Sequence, residues 1–361
     1  MGFVHYALQL TEALEARGHR VRTVGFRRIY PRLLYPGRCQ TEGPAPPAGW
    51  DRDAPLDTLS PASWRLAGEL AAAHAPEVVL LQHWMPLLAP ALGVAAARAK
   101  RLGGARVVTI VHNALPHEYQ PAARTVTRWF LGQSDGLIVH ARAVEAQLRS
   151  FAPGMVCRVT PHPAHGIFRS RLASGEARAL LGLPAGNPLL LFFGHVRRYK
   201  GLEVLLRALP AVRERLPGAR LVVAGEFYLA RRPFEALVAS LGLGEAVLLL
   251  DRFIPTDQVG HLFAAADLVV LPYLAASQSG VVAVAAVHGK PVVATTVGGL
   301  DEQVTDGVTG FLVPPGDPAA LAGGILRWSS LADPGAMERA IRQRGEEWSW
   351  DTLARVVEEL A

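Results

Sequence analysis

Cysteine is nearly absent from this 361-residue chain, which carries only Cys39 and Cys157. Two thiols cannot supply a disulfide framework and show no metal-ligand spacing, so a reducing compartment is the simpler expectation. Charge is sparse as well, at 19% of residues against 50% apolar, which excludes a disordered chain and suits well-buried α/β layers. A membrane-spanning run is also missing. The nearest approach, Val78 to Ala97, is broken by Gln82, His83, Pro86 and Pro90 and reads better as a strand followed by a helix. The opening Met1-Gly-Phe-Val-His-Tyr6 lacks the layout of a secretory leader and leads straight into an amphipathic helix pattern. No cluster of Asp, His or Cys has ligand spacing, so no metal is expected.

What the chain does have is repeated alternation of helix-period and strand-like segments. His5 to Arg17 reads as a helix closed by Gly18, and Arg20 to Phe26 as a strand. A Pro- and Gly-rich excursion occupies Pro31 to Pro61, and a helix then runs to about His74. The segments Val78–Gln82, Val107–Val111 and Gly136–Val139 are continuous apolar strands of the kind a parallel sheet buries on both faces. After a Pro- and His-rich stretch, Val159–Phe168, a second series follows: Pro188–Phe193, Arg220–Ala224, Val247–Leu250, Leu268–Leu271 and Pro291–Ala294. The expectation is a doubly wound α/β chain of two similar domains, with a ligand in the cleft between them.

Two segments carry chemistry. In Phe192-Phe-Gly194-His195-Val-Arg197-Arg198-Tyr-Lys200-Gly201, a glycine at a strand end lets the backbone turn. Arg197 and Lys200 then stand where a helix N-terminus already favours anions, as a diphosphate leaving group requires. A solvated basic loop is the bland alternative. In Leu271–Val281, Ser279 and Gly280 open an apolar helix and are expected to offer free backbone N–H groups as a second anion cradle. Gly298-Gly299 and Asp306-Gly-Val-Thr-Gly310 follow, and read equally as loop punctuation.

Taken in order, Gly194-x5-Lys200-Gly201, Ala266-Asp267-Leu-Val-Val-Leu-Pro272, Gly289-Lys-Pro-Val-Val-Ala-Thr295, Gly298-Gly299 and Asp306-Gly-x-Thr-Gly310 resemble the retaining GT-B glycosyltransferases of family 4. His5-Tyr-Ala is similar to the start of that family's first helix, and Thr109-Ile-Val-His112-Asn113 to its strand ending in an active-site His. The resemblance implies a GT-B fold of two Rossmann-like doubly wound domains facing across a cleft. It implies an acceptor-side domain over residues 1–165 and a donor-binding domain over 166–344, with a terminal helix in 345–361 crossing back. Lys200 is similar to the donor-phosphate lysine, and the backbone of Ser279, Gly280 and Val281 to a second phosphate contact. Phe253 and Ile254 resemble the segment against the nucleobase, and His112 the His beside the reacting sugar.

Three departures accompany the resemblance. The family's Gly-Arg pair is Gly194-His195 here, and Arg197 is expected to supply the guanidinium. The family's two glutamates fall on Ala276 and Val284, so sugar and ribose recognition passes to Ser277 and Gln278, or activity is lost. Gly2 matches the second glycine of the family's first loop and Met1 replaces the first, so the first strand is expected upstream of Met1.

The implied activity is transfer of a sugar from a nucleotide-diphosphate sugar, as co-substrate without a further cofactor, to a glycan, lipid-linked or small-molecule acceptor, with retention. A catalytically inactive scaffold remains open, as does an epimerase or hydrolase using His112, His117 and Glu118. The net charge of +6 suits anionic partners, among which nucleic acid is not expected. The expected location is the cytoplasm; Arg22, Arg27, Arg28, Arg32 and Arg38 cluster early and read first as solvated loop charge, with peripheral contact at the inner membrane face, or with a lipid-linked acceptor, as the alternative.

Overall fold

The computed structural model describes residues 2–30, 55–116, 120–164 and 166–361. The chain divides into two compact units, Met1–His162 with Trp350–Ala361, and Pro163–Ser349. The first division falls inside the Pro- and His-rich stretch.

The first unit opens on α1 (Gly2–Ala16), whose Tyr6, Leu10 and Leu14 recur every fourth residue and are buried. The chain turns at Gly18, at φ 93°, and residues 20–25 form no strand. The expected strand begins only at β1 (Phe26–Arg28), which pairs with β2 (Leu56–Asp57) in a two-stranded parallel ladder. The difference has a simple cause: strand-forming residues need a neighbouring edge, and the first register partner is Phe26 to Leu56. Most of the Pro-rich excursion, 31–54, lies outside the described residues.

Helix α2 (Pro61–Ala73) starts with Pro at its first position, where the missing N–H costs nothing. Then come β3 (Val78–His83), α3 (Ala89–Gly103), β4 (Arg106–Val111), α4 (Ala123–Leu131), β5 (Gly136–Val139), α5 (Arg142–Arg149) and β6 (Cys157–Val159). Strands β3-β4-β5-β6 form one parallel sheet in that order. Side-chain alternation along β4 and β5 decides what covers each face. Val107, Val111, Leu137 and Val139 meet Leu92, Phe130, Leu131, Val144 and Leu148 of α3, α4 and α5. Val108, Ile110 and Ile138 meet Tyr6, Leu10 and Leu14 of α1 together with the C-terminal Leu353, Val357 and Leu360.

The second unit holds α6 (Ser174–Leu180), β7 (Leu189–Phe193), α7 (Leu202–Arg215), β8 (Arg220–Ala224), α8 (Arg232–Ser240), β9 (Val247–Leu250) and α9 (Thr256–Ala265). It continues through β10 (Leu268–Leu271), α10 (Gly280–Val287), β11 (Val292–Thr295), α11 (Leu300–Gln303), β12 (Gly310–Val313), α12 (Pro318–Ser329) and α13 (Pro334–Glu347). Its six strands lie in the order β12-β11-β10-β7-β8-β9, all parallel. That is the doubly wound order, and the winding reverses between β7 and β10. Loops leaving the carboxyl ends of those two strands diverge and leave a crevice for a ligand.

Helix α14 (Trp350–Glu359) belongs to the first unit. Arg17 of the α1 turn reaches Glu358 and Asp351, each at 2.7 Å. Among the described residues, no helix is long and apolar enough to cross a membrane.

Several motif residues serve the fold itself. Asp267 accepts from the Leu189 N–H at 2.8 Å and from the buried Arg178 at 2.6 Å, which ties the entries of β7 and β10 together. Asp306 accepts from the Leu312 N–H at 2.8 Å and closes the turn before β12.

Candidate functional site

At the carboxyl end of β7 the chain turns at Gly194, at φ 101°. A Cβ there would lie 2.7 Å from the Lys200 ammonium, the movable end of a flexible side chain, so it is the left-handed φ that calls for glycine. The segment passes through Arg197, a 3-10 turn at Arg198–Lys200 and Gly201, at φ 67°, before α7. The Lys200 ammonium lies 3.5 Å from the Phe193 carbonyl and 5.2 Å from the centre of the Tyr273 ring. Burial, and secondarily the Arg197 charge, hold the Lys200 pKa below its ordinary value. Arg197 lies over the Tyr228 ring at 4.6 Å. Neither half-buried cation has a carboxylate partner among the described residues, whereas Arg178, more deeply buried, does. Two enclosed cations that no carboxylate pairs with among the described residues favour an incoming anion, which restores what desolvation removed.

His195 is not a third cation. Burial first, then Lys200 and Arg197, push its pKa down to about 3, so the ring is neutral near pH 7. Its ring lies 4.6 Å from that of Tyr228, tilted by 32°, and its Nδ1 is buried without a hydrogen-bond partner among the described residues.

The loop leaving β10 lies against this turn. Leu274 N–H donates to the Tyr199 carbonyl at 2.6 Å, and a Cβ on Gly201 would meet the Pro272 carbonyl at 1.9 Å. Ser277 and Ser279 are buried, and Ser279 caps α10 by accepting from the Val281 N–H at 3.3 Å. The Ser279 N–H, expected from sequence to face a ligand, donates instead to Gln303 Oε1 at 2.7 Å. A backbone donor this deeply buried must find a partner, and Gln303 is the polar side chain that reaches it. The Gly280 N–H, next along, has no partner among the described residues. Gln278 Oε1 is likewise buried without a partner.

Phe253 and Ile254 follow β9, three strands along in the same sheet, with Ile254 buried. The neighbouring Phe227 N–H is fixed by Asp251 at 2.9 Å. Gly194, Arg197, Lys200, Ser277, Gln278, Ser279, Phe253 and Ile254 therefore stand in the connections leaving the carboxyl edge of one sheet, with Gly280 and Val281 in the first turn of α10.

His112 and Gly2 belong to the first unit. His112 follows β4 directly and is buried, with Nε2 at 3.3 Å from Gln82 Oε1. Gly2 is the first residue of α1, one turn before Tyr6, whose ring meets His112 edge-on at 4.6 Å. Every strand of this sheet runs into a histidine: His83 ends β3, His112 follows β4, His140 follows β5, and His162 lies three residues past β6. The rings of His112, His140 and His162 lie 4.9 to 6.4 Å apart around Tyr6. Burial lowers the pKa of His83 to about 4 and that of His140 to about 3, and the His162 charge adds to the latter. The described residues hold no group of three His, Cys, Asp or Glu side chains arranged to bind a metal ion.

His117 and Glu118 lie outside the described residues, as do Arg32 and Arg38. Arg27 and Arg28 both pair with the buried Asp57, at 3.4 and 2.6 Å, while their own side chains stay 71% and 45% exposed. Arg28 first of all lowers the Asp57 pKa. Gln303, Tyr228 and the row of histidines were absent from the sequence reading. The histidines alone had a local signal, their place at or just past each apolar run.

Known proteins share this architecture. The chain matches Sucrose-phosphate synthase of Thermosynechococcus elongatus with a TM-score of 0.71 and 23% identity, covering 98% of this chain and 91% of the other. It matches Anabaena HepE in complex with UDP and glucose with a TM-score of 0.68 and 21% identity, covering 81% and 80%. The fold is GT-B. Residues 2–163 match the family described as Glycosyltransferase Family 4, and residues 187–330 that described as Glycosyl transferases group 1. The chain belongs to the family 4, group 1-type glycosyltransferases. Among its relatives, the D-inositol 3-phosphate glycosyltransferase of Streptomyces scabiei is 32% identical over 257 residues, 67% of this chain. The chain spans 57% of that protein's length, a little over half.

Proposed function

We propose that this chain transfers a glycosyl group from a nucleotide-diphosphate sugar to an acceptor hydroxyl, with retention at the anomeric carbon. The observation that carries the reading is the pair Arg197 and Lys200. Both are half-buried and, among the described residues, without an acid partner; they stand where the connections of β7 and β10 diverge, with a Gly280 N–H at the head of α10 that no described residue accepts. Fixed positive charge and an aimed N–H are what a departing diphosphate needs as its charge develops. In this reading the second unit holds the donor, with Phe253 and Ile254 against the base. Ser277 and Gln278 take the sugar and ribose in place of the carboxylates absent at Ala276 and Val284. The first unit holds the acceptor, and His112 stands beside the reacting sugar. No metal and no further cofactor takes part. The relatives' name supplies the first acceptor to assay, D-inositol 3-phosphate. Glycan and lipid-linked acceptors come next, the latter met at an anionic inner membrane face from the cytoplasm.

The test is a thermal-shift panel of UDP, GDP, ADP and TDP with their sugars. Ligand at a hundred times its dissociation constant stabilises by about 2.7 kcal/mol, which such a panel resolves. The expected result is a shift selective for one base, larger with the matching sugar. Folded protein that shifts with none of them overturns the donor reading and leaves an inactive scaffold.

A further inference from the structure

We propose that Gln303 is a positioning residue for the diphosphate, one that holds the Ser279 peptide so that the Gly280 N–H alone is presented at the head of α10. The inference rests on the donor-binding reading above and deepens it.

Gln303 closes α11, 24 residues beyond the serine it touches. Its Oε1 accepts the Ser279 N–H at 2.7 Å, and its Nε2 donates to the Ser279 carbonyl at 3.2 Å. One side-chain amide thus satisfies both backbone groups of one residue, as a neighbouring strand would. Turning the amide over would set donor against donor and acceptor against acceptor, so its orientation is fixed. Both residues are buried, at 6% and 5% exposure, where an unmade hydrogen bond is costly.

The same segment pins the loop at two earlier points. Thr295 Oγ1 donates to the Tyr273 carbonyl at 2.6 Å, and Gly299 N–H to the Ser277 carbonyl at 3.0 Å. The loop entering α10 is therefore held at 273, 277 and 279 from behind. With the Ser279 N–H spent on Gln303 and the Val281 N–H on the Ser279 hydroxyl, the helix head has its Gly280 N–H left to offer. A preset donor binds an anion without the cost of ordering the loop first.

The test uses the full chain and two readouts. Residue-resolved amide hydrogen exchange of the native protein should show Ser279 protected without ligand, and Gly280 exchanging freely. Adding the nucleoside diphosphate that binds, chosen from UDP, GDP, ADP and TDP, should protect Gly280 and leave Ser279 unchanged. A Ser279 amide that gains protection with the ligand, or a Gly280 amide already protected without it, overturns the proposal. In calorimetric titrations, Gln303→Met keeps the side chain's length, removes both hydrogen bonds, and should weaken the diphosphate about tenfold. Lys200→Ala is the control. Native affinity in Gln303→Met beside lost affinity in Lys200→Ala defeats the positioning role and leaves the donor reading standing. Native affinity in both variants defeats the donor reading itself. A Gln303→Met chain that does not fold leaves the exchange experiment on the native protein to decide.

Discussion

The Tyr6 hydroxyl donates a hydrogen bond to Nε2 of His140 across 2.8 Å, while Nδ1 of the same ring lies 2.9 Å from the Thr160 carbonyl. A carbonyl only accepts, so Nδ1 carries the proton and Nε2 is the acceptor of a neutral ring. Helix α1 is thereby tied to the end of β5, and the Tyr6 ring is held against His112. Tyr6→Phe keeps the packing and removes the donor, leaving a buried imidazole nitrogen unsatisfied. The expected loss is about 1–2 kcal/mol, read as a lower denaturant midpoint at unchanged slope. An unchanged midpoint would show that water replaces the hydroxyl there.

His83 and His140 should make the fold acid-sensitive above the carboxylate range. Their folded pKa values, about 4 and about 3, lie below the 6.5 of an unfolded histidine. Between those limits the unfolded chain binds protons that the folded chain refuses. Stability is therefore complete above about pH 6.5 and falls as the pH drops toward 4, by roughly 1.4 kcal/mol per pH unit for each histidine. Urea titrations at pH 7, 6 and 5 measure that slope, and His83→Leu should remove one histidine's share of it. A profile flat from 7 to 5 contradicts the assignment.

Lys200→Ala should lower turnover by about 3 kcal/mol in transition-state stabilisation, roughly a hundredfold, if the ammonium neutralises the leaving group. Gly194→Ala should strain the turn at its φ of 101° and push that ammonium aside, since the new methyl would stand 2.7 Å from it. It should weaken donor binding and leave the rest of the sheet intact. Unchanged turnover in Lys200→Ala would remove the lysine from the mechanism.

Gly298 and Gly182 separate backbone conformation from contact. Both adopt a left-handed φ, 58° and 65°. A Cβ on Gly298 would meet the Ala276 carbonyl at 1.8 Å, whereas one on Gly182 would meet nothing within 4 Å. Gly182→Ala should cost about 1 kcal/mol. Gly298→Ala should cost at least about 2 kcal/mol more, and loosen the loop that Gln303 holds. Equal losses in the two variants would show that the loop of 276 yields without resistance.

Much of this molecule was legible locally. Apolar runs such as Gly136–Val139 and Leu268–Leu271 became strands over those same residues, because a run that short, bounded by turns, has few other ways to bury itself. Gly194 and Gly201 marked their turns because only glycine tolerates both the φ and the crowding there. The segment 20–25 misled for the opposite reason, having strand-forming residues and, among the described residues, no edge to join.

Sequence by itself determined the two α/β series, the motif order of the family and the cations at the end of β7, since each is written in neighbouring residues. Tertiary structure alone decided which donors remain to meet a ligand. Ser279 loses its N–H to a glutamine 24 residues away, and His140 takes its proton position from Thr160 while accepting from Tyr6, 134 residues distant. A hydrogen bond needs its partners within about 3 Å of each other, and for residues so far apart only the packed sheet and its helices bring them there.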